Sequence, residues 1–363
     1  MKPVPSADRE REAQRDSDGS PRPDLAGLSG IRGQDAVVRV LRSAIAHERP
    51  HHAYLFDGPE GVGKSLVARA LMAALNCQSP PAPGDACGRC ESCSKLRSGT
   101  HPDWIVMDMT LAGLADEVEK LLKRLVYPPF EGRAQVVLLD PADQLAAPTA
   151  QTAANRLLKT LEEPRARTHF VLVTTAASSL LQTIRSRCQR LRFAPLPDAF
   201  LREALLSRGA SPESADAIVP LSQGSLGRAV RLAADQEGLA KRRELADQLY
   251  LAARAGRAAE IVATASDAGA DRDEAQEVLE LLWLRLHGEL RERLREAADS
   301  DDGLGAPGVR RLLSGLRVVR DAQGAIRRYT GAPLALERMS RHLHPAVAPV
   351  PDGAARSTPT GAR

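Results

Sequence analysis

The chain has 363 residues, longer than one compact core of usual domain size, so two or three domains are expected. Hydrophobic residues make up 43% and charged residues 26%, proportions that exclude a wholly disordered or collagen-like chain. Lys plus Arg number 50 against 46 Asp plus Glu, a net charge of +4, and aromatics are 3%, which argues against a chain that coats DNA by charge alone or stacks single-stranded bases on an extended platform.

Residues 1–27 are charged and Pro-rich with no apolar core; they are expected to be disordered, and no secretory signal is expected. No apolar run reaches the roughly 18 residues of a membrane span. Asp35–His47 reads as a helix. The short apolar strand Tyr54–Asp57 then leads into Gly58-Pro59-Glu60-Gly61-Val62-Gly63-Lys64-Ser65, which fits G-x-x-x-x-G-K-[ST]. Glycines in such a loop let backbone N–H groups curl around phosphate oxygens, and the helix that follows, Lys64–Asn76, aims its positive end at them. Lys64 would reach the terminal phosphates and the Ser65 hydroxyl would ligate Mg²⁺. The alternative is a Gly-rich turn capping an ordinary helix.

Four of the five cysteines come next: Cys77, Cys87, Cys90 and Cys93, spaced C-x9-C-x2-C-x2-C. An odd count, clustered in a chain without a signal, favours metal binding in a reducing cytoplasm over disulfides. Four thiolates close a tetrahedral Zn²⁺ shell with no open position, so the expectation is structural zinc in a module over 77–93. The alternative is a cluster of free thiols; Cys188 stands apart.

Strand and helix patterns then alternate: Trp104–Met107, Leu114–Val126, Gln135–Asp140, Thr149–Leu161, Phe170–Thr175 and Arg190–Phe193. This implies a mostly parallel sheet flanked by helices, an α/β phosphate-loop domain over 28–196. Strand Gln135–Asp140 ends in a carboxylate of the kind that holds a Mg²⁺ shell in phosphate-loop proteins, although a plain strand-end turn residue has the same look. Hydrolysing members usually place a Glu next; here Pro141 takes that place. Asp143 follows two positions later, its direction unset by the sequence. The pattern predicts a nucleotide site that binds better than it cleaves. After Pro195-Leu196-Pro197 no strand signal recurs. A small helical lid over 197–236, a helical bundle over 237–344 (Leu279, Leu282, Leu286 and Leu290 at helical spacing) and a disordered tail over 345–363 are expected.

As a set, these motifs resemble the clamp-loader branch of the AAA+ ATPases, and within it the delta-prime family of bacterial DNA polymerase III. The resemblance rests on Gly33-Gln34 with its helix, His52-Ala53-Tyr54-Leu55-Phe56 before the phosphate loop, and the four-Cys insert. It rests also on Asn155-Arg156-Leu157-Leu158-Lys159-Thr160-Leu161-Glu162-Glu163-Pro164, on Thr174 and Thr175 at a strand end, and on Ser186-Arg187-Cys188. It covers roughly residues 30–195; the helical remainder fits a lid and an oligomeric collar.

The resemblance implies ATP with Mg²⁺ at Gly58, Gly61, Val62, Gly63, Lys64, Ser65 and Asp140, and Thr174 as a sensor of the nucleotide. It implies that Arg187 serves as an arginine finger in the ATP site of a neighbouring subunit. Gly224-Ser225-Leu226-Gly227-Arg228 resembles a second sensor region; Arg228 as a phosphate contact and Ser225 as a helix-capping residue are equal alternatives. The implied partners are gamma/tau-type motor subunits and a delta subunit in a cytoplasmic hetero-pentamer that loads a sliding clamp onto primed DNA during replication. Asp140-Pro141 and the short tail favour the stator-like delta-prime reading over an ATP-hydrolysing motor. A zinc-stabilised scaffold without nucleotide and a helicase-like translocase are further alternatives.

Overall fold

The computed structural model describes residues 27–110, 112–165, 167–298, 307–327 and 331–348. The segments expected to be disordered lie outside these residues, except Gly27 and the stretch 345–348. The described chain divides into two compact units. One runs to Ala210 and takes in Ser222–Val230; the other comprises Ser211–Leu221 and the chain from Arg231 onward.

The first unit holds strands β1 (Ala53–Asp57), β2 (Trp104–Asp108), β3 (Gln135–Asp140), β4 (Thr168–Thr174) and β5 (Gln189–Arg192). They form one five-stranded sheet in the order β2-β3-β4-β1-β5, every pair parallel. Its helices are α1 (Asp35–Ala46), α2 (Lys64–Asn76), α3 (Glu91–Ser98), α4 (Leu114–Arg124), α5 (Gln151–Glu162), the single turn α6 (Gln182–Arg185) and α7 (Asp198–Leu206).

The inner strands are continuous apolar runs because both faces are covered. Tyr54, Phe56, Val136, Leu138, Val171 and Val173 pack on one face with Val37 and Leu41 of α1, Val67 and Leu71 of α2, and Cys93 and Leu96 of α3. Their neighbours Leu55, Val137, Leu139, Phe170 and Leu172 point to the other face, against Val118 and Leu121 of α4 and Ala153, Leu157 and Leu161 of α5. The edge strand β2 instead alternates, with Ile105 and Met107 buried and Val106 exposed.

Helices α8 (Pro212–Ser222) and α9 (Leu226–Ala234) follow, then α10 (Gln236–Ala255), α11 (Ala258–Ala268), α12 (Arg272–Ala298), α13 (Pro307–Arg327) and α14 (Ala332–Val347). The second unit is held together by an apolar core that includes Leu279, Leu282, Leu286 and Leu290 of α12, one stripe of a helix at 3.6-residue spacing. No helix among the described residues is long and apolar enough to cross a membrane.

Candidate nucleotide and metal sites

β1, an interior strand between β4 and β5, delivers the chain to the phosphate loop. Gly61 and Gly63 have φ of +72° and +98°, the left-handed region where a side chain is strained. Gly63 is the residue before α2, so the helix opens with its first N–H groups facing the loop. At Gly61 there is a second constraint: a Cβ would lie 2.2 Å from Ser225 Oγ and 3.3 Å from the Gly227 backbone. The Gly227 N–H donates to Gly61 O at 3.1 Å, so the 224–227 segment is fastened to the loop.

Lys64 is buried, and its ammonium donates to Gly58 O and Pro59 O, both at 2.6 Å. Burial pushes its pKa below the usual lysine value, opposed by Asp140, Glu60, Asp143 and Asp57. The Ser65 hydroxyl donates to Asp140 Oδ2 at 2.7 Å, which joins the start of α2 to the end of β3. Burial raises the Asp140 carboxyl above the usual range, opposed by the Ser65 hydrogen bond and by Lys64. Only the backbone of Val62 belongs to the loop surface, since its side chain is 2% exposed. Gln34 holds the loop from behind, donating to Val62 O at 3.4 Å and Ala194 O at 2.8 Å and accepting from Ala194 N–H.

Thr174 is brought beside the loop: Gly58 N–H donates to Thr174 O at 3.2 Å. Its hydroxyl donates to Asp143 Oδ1 at 2.5 Å, and Asp143 Oδ2 also accepts from the Thr175 N–H at 3.1 Å. Asp143, whose direction the sequence left open, therefore turns toward the end of β4. One strand over, Asp57 accepts from Arg190 Nε at 2.9 Å and from the Ala177 N–H at 3.1 Å.

Ser225 Oγ accepts from the Arg228 N–H at 3.1 Å, so Ser225 caps the start of α9. Arg187 is not part of the loop cluster. Its guanidinium donates to Glu162 Oε1 of α5 at 2.5 Å and to Thr183 O at 2.8 Å. The two sequence motifs that end in Glu162-Glu163-Pro164 and Ser186-Arg187-Cys188 thus meet through an ion pair. Cys188 is buried away from the other cysteines, its thiol pushed up to about 12 by burial.

The four-Cys cluster suits a metal ion. The sulfurs of Cys77, Cys87, Cys90 and Cys93 lie within 4.8 Å of one another. Bound to one Zn²⁺ at about 2.3 Å, tetrahedral thiolates would sit a little under 4 Å apart, so small side-chain adjustments suffice. Cys87 N–H points at Cys77 Sγ (3.2 Å) and Cys90 N–H at Cys87 Sγ (3.3 Å), donors that suit thiolate acceptors. Backbone hydrogen bonds from Arg89 and Cys90 bring Cys87 down to about 6, whereas burial pushes Cys93 up. The Asn76 side chain exchanges two hydrogen bonds with the Ala134 backbone, and Asp103 accepts from the N–H groups of Phe130, Glu131 and Gly132.

Sequence motifs pointed to the loop, Asp140, Thr174 and the cysteines. They did not point to the Asp57–Arg190 pair, the Asp143–Thr174 bond or the Glu162–Arg187 pair. The only available signal was that each of these charges flanks a strand end or a motif.

Residues 33–197 match the family described as DNA polymerase III, delta subunit. The chain is 41% identical over 187 residues to DNA polymerase III subunit delta' of Pseudomonas aeruginosa, covering 50% of this chain and 55% of that protein. It is 33% identical over 205 residues to subunit delta' of Bacillus subtilis, covering 56% and 60%. It is also 35% identical over 178 residues to subunit tau of Salmonella typhimurium, covering 49% of this chain and 27% of that protein. The chain thus spans between half and two thirds of its delta' relatives.

Proposed function

We propose that this chain is the stator-like, delta-prime subunit of a bacterial DNA polymerase III clamp loader. It binds ATP with Mg²⁺ through the 58–65 loop, Lys64, Ser65 and Asp140, and turns it over slowly or not at all. Arg187 serves a neighbouring subunit's ATP site. The partners are gamma/tau-type motor subunits and a delta subunit in a cytoplasmic hetero-pentamer. Through them the chain acts on the sliding clamp and primed DNA in replication. Cys77, Cys87, Cys90 and Cys93 hold a structural zinc ion. The family match over 33–197 supports the class of complex.

The observation that carries the stator reading is the corner after β3. Pro141 follows Asp140, and the next carboxylate, Asp143, already accepts from Thr174, Thr175 and Ser179. Pro141 has no carboxylate, and three donors already hold Asp143 toward the end of β4, so neither residue is set to align an attacking water. The similarity to a tau subunit and the intact loop favour a second reading, an ATP-hydrolysing motor.

Two measurements on the isolated chain separate the readings. A fluorescent ATP analogue should bind wild type and not Lys64→Ala, while steady-state ATPase of the two should be equally negligible. Turnover that Lys64→Ala abolishes would overturn the stator reading in favour of the motor. Absence of analogue binding, alone and in the assembled complex, would leave a zinc-stabilised scaffold.

A further inference from the structure

The Thr174 hydroxyl has one proton, and it is already placed. It donates to Asp143 Oδ1 at 2.5 Å, while the oxygen accepts from the Ala176 N–H at 3.1 Å. The threonine is fully buried at the end of β4, so solvent offers the hydroxyl no alternative partner. Asp143 is equally constrained. It lies on a turn, Ala142–Ala146, whose residues Ala142 and Leu145 are 0% and 2% exposed and root it in the core. Its second oxygen takes the Thr175 N–H, and Ser179 Oγ lies 3.4 Å from the first. Meanwhile Thr174 O receives the Gly58 N–H, which puts this residue at the mouth of the phosphate loop.

A hydroxyl can stabilise a terminal phosphate only by donating to it, because phosphate oxygens are acceptors. We propose that Asp143 is a latch on Thr174: by taking the hydroxyl proton it keeps the threonine from sensing the terminal phosphate, removing this residue's share in telling ATP from ADP. Asp143 is a positioning residue that acts through Thr174. The proposal rests on the reading of the 58–65 loop as a nucleotide site. It deepens that reading, since a latched sensor and a missing base point to the same passive nucleotide.

The test is the ratio of ATP to ADP affinity, measured by calorimetry with Mg²⁺ on the full chain. A buried side-chain fold role would change both affinities together; only a contact to the terminal phosphate changes the ratio. In wild type, Thr174→Val should leave the ratio within twofold. Asp143→Ala should free the hydroxyl and raise the ratio about tenfold, the size of one hydrogen bond to a charged group. Adding Thr174→Val to Asp143→Ala should abolish that gain, and this double variant leaves no orphaned hydroxyl to impair folding. Asp143→Asn removes the charge but keeps an acceptor for Thr174, so its ratio should stay near wild type.

Three results would overturn the latch. Thr174→Val could lower the wild-type ratio, Asp143→Ala could leave it unchanged, or Asp143→Asn could raise it as much as Ala, which would reveal simple charge repulsion. Each of these occurs with nucleotide bound and spares the binding reading. Failure of wild type to bind either nucleotide would overturn both.

Discussion

Arg187→Ala separates a finger acting in trans from a local staple, because the two roles differ greatly in size. Within the chain, Arg187 pairs with Glu162 at 2.5 Å, the side chains being 32% and 49% exposed. A pair this wet contributes about 0–1 kcal/mol. The variant should therefore fold normally, with a midpoint lowered by no more than about 4 °C. Its ATP affinity should match wild type, since the Arg187 partners Glu162, Thr183 and Ser186 all lie outside the phosphate loop. An arginine finger is worth about a thousandfold or more in turnover at the site it serves. Clamp- and DNA-stimulated ATPase of the reconstituted complex, measured by phosphate release, should fall by the whole contribution of that one site.

Glu162→Gln supplies the control. It breaks the same ion pair but leaves the guanidinium in place, so complex ATPase should be retained. If Arg187 only staples α5 to α6, the two variants will behave alike. Unchanged ATPase in Arg187→Ala, or an equal loss in Glu162→Gln, would refute the finger.

Three further outcomes are expected. Gly61→Ala forces a side chain into φ +72° and against Ser225 Oγ at 2.2 Å, so it should cost about 1–2 kcal/mol from backbone strain alone and weaken ATP-analogue binding; denaturant melts with parallel titrations check both. Cys90→Ser should lower bound zinc, measured by elemental analysis, and expose the 77–98 segment to protease, since a metal held by four cysteines contributes folding energy; full metal retention would remove Cys90 from the ligand set. Acidification should destabilise the sheet through His169 and His52. Burial holds both below the free value of 6.5, so the unfolded chain binds more protons just below that pH. Their contribution is complete above pH 6.5 and is lost as pH falls toward the folded values. The melting temperature should therefore drop between pH 7.5 and 5.5, less steeply in His169→Gln.

The sheet was legible where chemistry and burial coincide. Gln135–Asp140 and Lys64–Asn76 are read from sequence with the limits they have in the structure. β4 begins at Thr168 rather than Phe170 because two polar residues are buried with partners. Thr168 Oγ1 accepts from Gln135 Nε2, and His169 Nδ1 bonds to His51 O. Such residues look like loop until the neighbouring strand is known. α4 stops at Arg124, short of Val126, because Val126 and Tyr127 are 54% and 72% exposed: apolar in composition, they do not continue the buried stripe. α3 is a helix for which the sequence offers no pattern, since its eight residues are mostly polar and begin inside the cysteine cluster, with Cys90 as N-cap.

The site divides along the same line. A phosphate loop and a thiolate cluster need fixed local spacing, so sequence records them. The bonds that arm or restrain them run across the sheet. Because β1 lies between β4 and β5, Asp57, Thr174 and Arg192 stand in register on adjacent strands although far apart in the chain. The Asp57–Arg190 and Asp143–Thr174 bonds span 133 and 31 positions, and a one-dimensional motif has no means to register either. The direct pairing of β3 with β4 is what places Asp143 against Thr174. A carboxylate three residues past Asp140 therefore bonds to the end of β4 and not back toward Asp140.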